Sequence, residues 1–167
     1  MNNNFHSRKL NLSIPHLIIN QITKNIEPVD NVNTINMDAT GLSLSRNKAL
    51  DNASSDICLI SDDDLTYTQN IDQLIQKVFD KYPNVDIITF KISKADGTDY
   101  KKYQDKPFYH NIRTLMKVSS VEIAIRKRII DEKLRFDENF GLGAKYPTGE
   151  EIIFLTDALK QGKSILF

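Results

Sequence analysis

Cysteine is nearly absent from this chain, with Cys58 the sole example. No disulfide can form within it, so the scaffold is not held by cross-links. Cys58 lies in a short apolar run with no neighbour that would activate it, so we expect a buried structural thiol and a reducing cytoplasm. Net charge is also absent. The chain's 22 Lys and Arg balance its 22 Asp and Glu. That balance gives no overall field to draw in nucleic acid or an anionic membrane. No apolar stretch approaches the roughly 20 residues that span a bilayer. The start, Met1-Asn2-Asn3-Asn4, lacks the apolar core of a signal peptide. Internal repeats and low-complexity segments are missing too, apart from that short Asn run.

What is present is enough for a single domain with a real core: 167 residues, of which 40% are hydrophobic. Residues 1–16 are polar and irregular. His16 to Gln21 reads as a short buried strand, Thr34 to Met37 as another, and a loop with Pro28 lies between them. Ser43 to Ala53 has a small apolar face of Ala49, Leu50 and Ala53, with Ser43 as its N-cap. Asp56 to Ser61 reads as a buried central strand. Ile71, Leu74, Ile75, Val78, Phe79 and Tyr82 recur at helical spacing, and Asn70 with Gln73 resembles a capping box. Val85 to Ile92 is strand-like. The middle of the chain thus alternates helix and strand, which predicts an α/β fold with a parallel sheet. Lys94 to His110 reads as a binding loop or a two-stranded excursion. Met116 to Ile125 reads as a strand, Glu150 to Gln161 as a helix stopped by Gly162, and Ser164 to Phe167 as a last strand.

Three stretches could carry chemistry. Ile57-Cys58-Leu59-Ile60 runs directly into Ser61-Asp62-Asp63-Asp64, which places carboxylates at a strand's carboxyl end. Adjacent carboxylates repel, and a hard divalent cation would relieve that repulsion while leaving coordination positions for phosphate oxygens. The plain alternative is a solvated acidic turn. Gly41 to Asn47 sets Arg46 near a helix start, either an anion site or an ordinary capped helix with a surface arginine. Gly149-Glu150-Glu151 opens a helix after a Gly- and Pro-containing loop. Its acids either complement the helix dipole or supply a general base.

Taken in order, these stretches resemble the core of family 2 glycosyltransferases. The resemblance rests on Gly41 through Ser45-Arg46-Asn47-Lys48-Ala49-Leu50, the apolar strand with Asp62-Asp63-Asp64, and Phe136-Asp137-Glu138-x-Phe140-Gly141 followed by Gly149-Glu150-Glu151. It covers roughly residue 17 to the end. It implies a GT-A fold, Rossmann-like, with a mostly parallel sheet flanked by helices, and a single domain over residues 1–167. It also implies a nucleotide-diphosphate-sugar donor, a glycan or lipid-linked acceptor, and Mn²⁺ or Mg²⁺. By resemblance, Asp64 and then Asp62 would ligate the metal, and Asp62, Asp63, Arg46 and Asn47 would face the nucleotide sugar. Glu151 would be the catalytic base, with Glu150 second. An inverting, metal-dependent transfer in polysaccharide biosynthesis follows, in the cytoplasm or peripherally at the inner membrane face. The sequence departs from the family's pattern in three respects. Nothing before residue 17 supplies the first strand, so the sheet is expected to be incomplete at the N-terminus. Asn20-Gln21 stands where an aspartate often reads uracil. The chain also stops soon after the Glu-Glu helix. A missing strand would leave apolar sheet exposed and favour a homo-oligomer.

Two other readings stay open. Asp62-Asp63-Asp64-Leu65-Thr66 also fits the Asp-x-Asp-x-Thr signature of haloacid-dehalogenase-like phosphatases. A truncated, inactive GT-A module used for interaction is the non-enzymatic alternative.

Overall fold

The structure, a computed structural model, describes residues 15–21, 32–62 and 65–167. Residues 1–14, the loop around Pro28, and Asp63 and Asp64 lie outside the described residues. Strands β1 (His16–Asn20) and β2 (Val32–Asn36) pair in parallel, His16 opposite Val32 and Asn20 opposite Asn36. Helix α1 (Leu42–Asn52) follows, then β3 (Ile57–Leu59), α2 (Ile71–Lys81) and β4 (Ile87–Thr89). The one-turn helix α3 (Ile112–Leu115) precedes β5 (Ile123–Arg126). Helix α4 (Glu150–Lys160) and β6 (Ile165–Leu166) close the chain.

The second sheet has the order β3-β5-β4-β6. Strand β5 runs antiparallel to both β3 and β4, whereas β4 and β6 are parallel. Three of the four strands therefore point one way, and the sheet is mixed where helix–strand alternation alone predicts parallel pairing. The reason lies in the link from β4 to β5. A parallel crossover needs a helix long enough to return the chain across a sheet face, but this link carries only the single turn of α3. Most of Met116 to Ile125, expected as a strand, is instead α3's end and a 3₁₀ turn over Ser120–Glu122. Nor is β3 central. Among the described strands it is an edge that pairs only with β5, so Ile57, Cys58 and Leu59 are half-buried. Burial, opposed by the charge of Lys127, still pushes the Cys58 thiol above its usual range.

Period-2 alternation sorts the sheet's side chains into two cores. Ile87, Ile123, Ile125 and Ile165 face one side, where Leu50 of α1 and Phe154, Leu155 and Ala158 of α4 cover them. Ile88, Ala124 and Leu166 face the other, under Ile75 and Phe79 of α2. The helical spacing in α2 thus does what it predicts, and Phe79 is fully buried, a burial that stabilises by about 1.5–3 kcal/mol. Arg126 fastens α2 to β5. Its guanidinium lies 4.7 Å from the Phe79 ring centroid, and its Nε and Nη2 donate to the carbonyls of Val85 and Phe79.

Both expected N-caps differ. Helix α1 starts after Gly41, so Ser43 lies within its first turn and donates its hydroxyl to the Phe140 carbonyl at 2.6 Å. Asn70 precedes α2 in a left-handed conformation with no side-chain cap, so the Asn70–Gln73 capping box does not form. Among the described residues no helix is long and apolar enough to cross a membrane.

Candidate active site

Three segments far apart in sequence meet around one arginine. Arg46 projects from α1, and its side chain is only 7% exposed. Its Nη1 lies 2.7 Å from Glu150 Oε1 at the start of α4, and its Nη2 donates to Ser120 Oγ at 2.8 Å. Nη2 also lies 3.6 Å from Asp62 Oδ1, just beyond β3. The guanidinium plane rests near the Phe136 ring, 5.5 Å from its centroid. A fixed fork of five N–H donors suits several acceptors at once, which a lysine could not match.

Asn47, the next residue, latches a different loop. Its side-chain amide donates to the Phe136 carbonyl at 2.9 Å and to Glu138 Oε1 at 3.1 Å, while its Oδ1 accepts the Phe136 N–H at 3.0 Å. Phe136 in turn stacks on Phe154 of α4, with centroids 4.4 Å apart. The Arg-Asn pair, the Phe-Asp-Glu loop and the Glu-Glu helix are thus one packed unit.

The loop leading to α4 closes against the start of α1. The Leu42 N–H donates to the Leu142 carbonyl at 2.9 Å, and the Gly41 N–H to Gln21 Oε1 at 2.7 Å. These two amides at the head of α1 are therefore held by protein oxygens. Gly141 has φ of +102°, and a Cβ there would sit 3.2 Å from Ser43 Oγ and 3.4 Å from Glu150 Cδ. Both the positive φ and the close approach favour glycine here.

The two glutamates divide sharply. Glu150 is buried against Arg46. Glu151 is half-buried, and burial first, then the negative charge of Glu150, raises its carboxyl above the ordinary range, while Arg46 pulls it down. Asp62 keeps 44% of its side chain exposed. Beside it the Tyr67 phenol is raised by burial and further by the Asp62 charge.

The site residues named from sequence thus fall into two groups. Arg46, Asp62 and Glu150 come together, Glu151 adjoins them, and Asn47 braces the same loops. Asp63 and Asp64 lie outside the described residues. Among the described residues no group of three His, Cys, Asp or Glu is placed to hold a metal. Asp62 offers carboxylate oxygen, the donor chemistry that Mg²⁺ and Mn²⁺ prefer. Ser120 was not legible in the sequence, because a lone serine in a 3₁₀ turn leaves no periodic signal. Ser43 and Gly141 were visible only as parts of motifs.

An α/β fold with Asp62 beyond a strand's end, joined by a buried arginine to a glutamate-headed helix, fits a GT-A type transferase. Residues 18–136 match the family model described as Glycosyl transferase family 2. The chain belongs to that family and is a glycosyltransferase, whose substrates are a nucleotide-sugar donor and an acceptor. The matched span contains Arg46, Asn47 and the whole Asp run, whereas Glu150 and Glu151 lie beyond it. No curated protein matches the chain.

Proposed function

We propose that the chain transfers a sugar, with inversion, from a nucleotide-diphosphate sugar to a hydroxyl of a glycan or lipid-linked acceptor. The setting is polysaccharide biosynthesis, in the cytoplasm and peripherally at the inner membrane face. The observation that carries this reading is the position of Arg46 between Asp62 at 3.6 Å and Glu150 at 2.7 Å. One charge ties Asp62 on the donor side to the helix that bears Glu151.

Glu151 is the base. Its raised proton affinity suits a group that takes a proton from an acceptor hydroxyl. The deprotonated oxygen then forms a bond to the anomeric carbon as the bond from that carbon to the diphosphate breaks. Glu150 is the positioning partner, since its carboxylate is spent on Arg46. Asp64 with Asp62 would hold Mg²⁺ or Mn²⁺, which would neutralise the charge developing on the leaving diphosphate. Arg46 and Asn47 serve the donor side by fixing Asp62 and the 136–141 loop.

The test is turnover of a panel of nucleotide-diphosphate sugars with and without Mn²⁺, in the native chain and in Asp64→Ala and Glu151→Gln. Metal-dependent release of nucleoside diphosphate from one donor, lost in both variants, supports the reading. Turnover indifferent to Glu151→Gln sinks the assignment of the base. Hydrolysis of a simple phosphate ester, lost in Asp62→Asn, would restore the phosphatase alternative, which the family match does not support.

A further inference from the structure

The zero net charge of the chain hides a local imbalance. Between Lys101 and Lys117 stand five Lys or Arg against the single Asp105. Lys101 is turned inward, 2.7 Å from the buried Glu122. Lys102, Lys106, Arg113 and Lys117 are exposed and join no ion pair with a described residue.

The same segment carries a large share of the exposed apolar surface. Tyr109 is 62% exposed, Ile112 58% and Met116 62%. Ile112 and Met116, four residues apart, lie on one side of the α3 turn, and Tyr109 leads into that turn from a bridge to Leu166. The opposite side is firmly seated: His110, Leu115 and Val118 are buried. The His110 imidazole sits between the hydroxyls of Thr89 and Thr114, and the Asn111–Thr114 capping box fixes the turn. Backbone bonds join Phe108 to Phe167 and His110 to Ile165, so the segment lies along the outer edge of β6. Asp62 and β3 are at the other edge of the sheet. The apolar side chains are thus held outward by an ordered scaffold.

We propose that this face, Tyr109, Ile112 and Met116 flanked by Lys102, Lys106, Arg113 and Lys117, docks on an anionic lipid bilayer. Charge complementarity selects the occupant. Aliphatic tips enter the acyl boundary, a tyrosine suits the headgroup level, and cations on long stems stay with anionic headgroups. A polyanion such as nucleic acid would use the cations but would have no use for Ile112 and Met116. The inference deepens the peripheral placement proposed above. Transfer between soluble substrates does not depend on it, so the two fail separately.

The test is co-sedimentation of the full chain with vesicles of phosphatidylcholine alone and of phosphatidylcholine mixed with phosphatidylglycerol. Native protein should sediment with the mixed vesicles, weakly with the neutral ones, and less as salt is raised. The doubles Ile112→Ser/Met116→Ser and Lys106→Gln/Arg113→Gln change only exposed positions. Each should retain the native circular dichroism and lower the partition by about tenfold or more. Absence of native protein from the mixed-vesicle pellet overturns the proposal, as does sedimentation unchanged in both doubles. Loss confined to the charge double, with equal retention on a soluble polyanion, assigns a polyanion site instead. A native dimer that Ile112→Ser/Met116→Ser dissociates, with no vesicle binding, assigns the face to a second copy of this chain.

Discussion

Arg46 Nη1 lies 2.7 Å from Glu150 Oε1, and each side chain is only 7% exposed. The two residues are 104 positions apart, so one contact joins the helix before the Asp run to the helix after it. Breaking such a pair leaves a buried charge without compensation, which costs about 3–5 kcal/mol. Arg46→Ala should therefore lower stability by about that amount. Arg46→Lys keeps the charge but cannot reach Glu150 and Ser120 together, and should cost about 1–3 kcal/mol. The apolar double Arg46→Met/Glu150→Leu should be less destabilised than Arg46→Ala, yet inactive. Urea midpoints and donor turnover on the four proteins check this. A double as unstable as Arg46→Ala would mean that the pair's geometry matters more than its desolvation.

The acid limb of the rate profile should report Glu151. A base must be ionised to act, so activity rises with pH through its pKa. Burial and the charge of Glu150 raise that pKa, which places the limb above the ordinary carboxylate range. In Glu150→Gln one raising charge is gone and Arg46, no longer neutralised, lowers Glu151 further. The limb should move to lower pH, with kcat at its plateau reduced through the misplaced Arg46. Measuring kcat against pH in the native enzyme and in Glu150→Gln decides it. A limb that moves upward, or that survives in Glu151→Gln, contradicts the assignment.

Much of this site could be read from sequence, and the rest could not for definable reasons. Strand β3 and helix α2 announce themselves through apolar runs and helical spacing, and Arg46, Asp62 and Glu150 stand in a recognisable order. Periodicity is blind to partners, however. Nothing local tells whether Arg46 faces solvent or a glutamate 104 residues away. Strand direction was equally hidden, since β5's reversal depends on a link too poor in helix for a crossover. The Lys94 to His110 stretch read as either a loop or an excursion. It makes two isolated bridges, Asp99 with Ser93 and Tyr109 with Leu166, and is pinned inward by Tyr103 and Lys101 on Glu122. Those contacts pair an irregular segment with a 3₁₀ turn, and neither has a repeating pattern to reveal it.

His110 should make stability depend on pH well away from the site. Its ring is buried against Thr89 and Thr114, and burial, aided by the Lys101 charge, lowers its pKa from 6.5 to about 4. The unfolded chain then binds a proton that the folded chain refuses throughout that window. The resulting stability is complete above pH 6.5 and is lost as pH falls toward 4. Unfolding free energy measured from pH 7 to 4.5 should fall in the native chain and fall less steeply in His110→Gln. Equal slopes would show that the ring is protonated when folded.

Gly141 offers the sharpest test of how tightly the loop before α4 must close. Its φ of +102° already disfavours any side chain, and a Cβ would meet Leu42 Cβ at 3.3 Å as well as Ser43 Oγ and Glu150 Cδ. Gly97 has φ of +82° but open space around a Cβ. Gly97→Ala therefore measures the backbone cost alone, about 1 kcal/mol. Gly141→Ala adds the crowding and should cost about 1–3 kcal/mol more. Because the crowded atoms include the Glu150 carboxyl, Gly141→Ala should also lower kcat, whereas Gly97→Ala should not. Paired urea titrations and initial rates separate the two effects. Equal losses of stability would mean that the loop yields without strain, and an unchanged kcat in Gly141→Ala would mean that Glu150 can shift without disturbing Glu151.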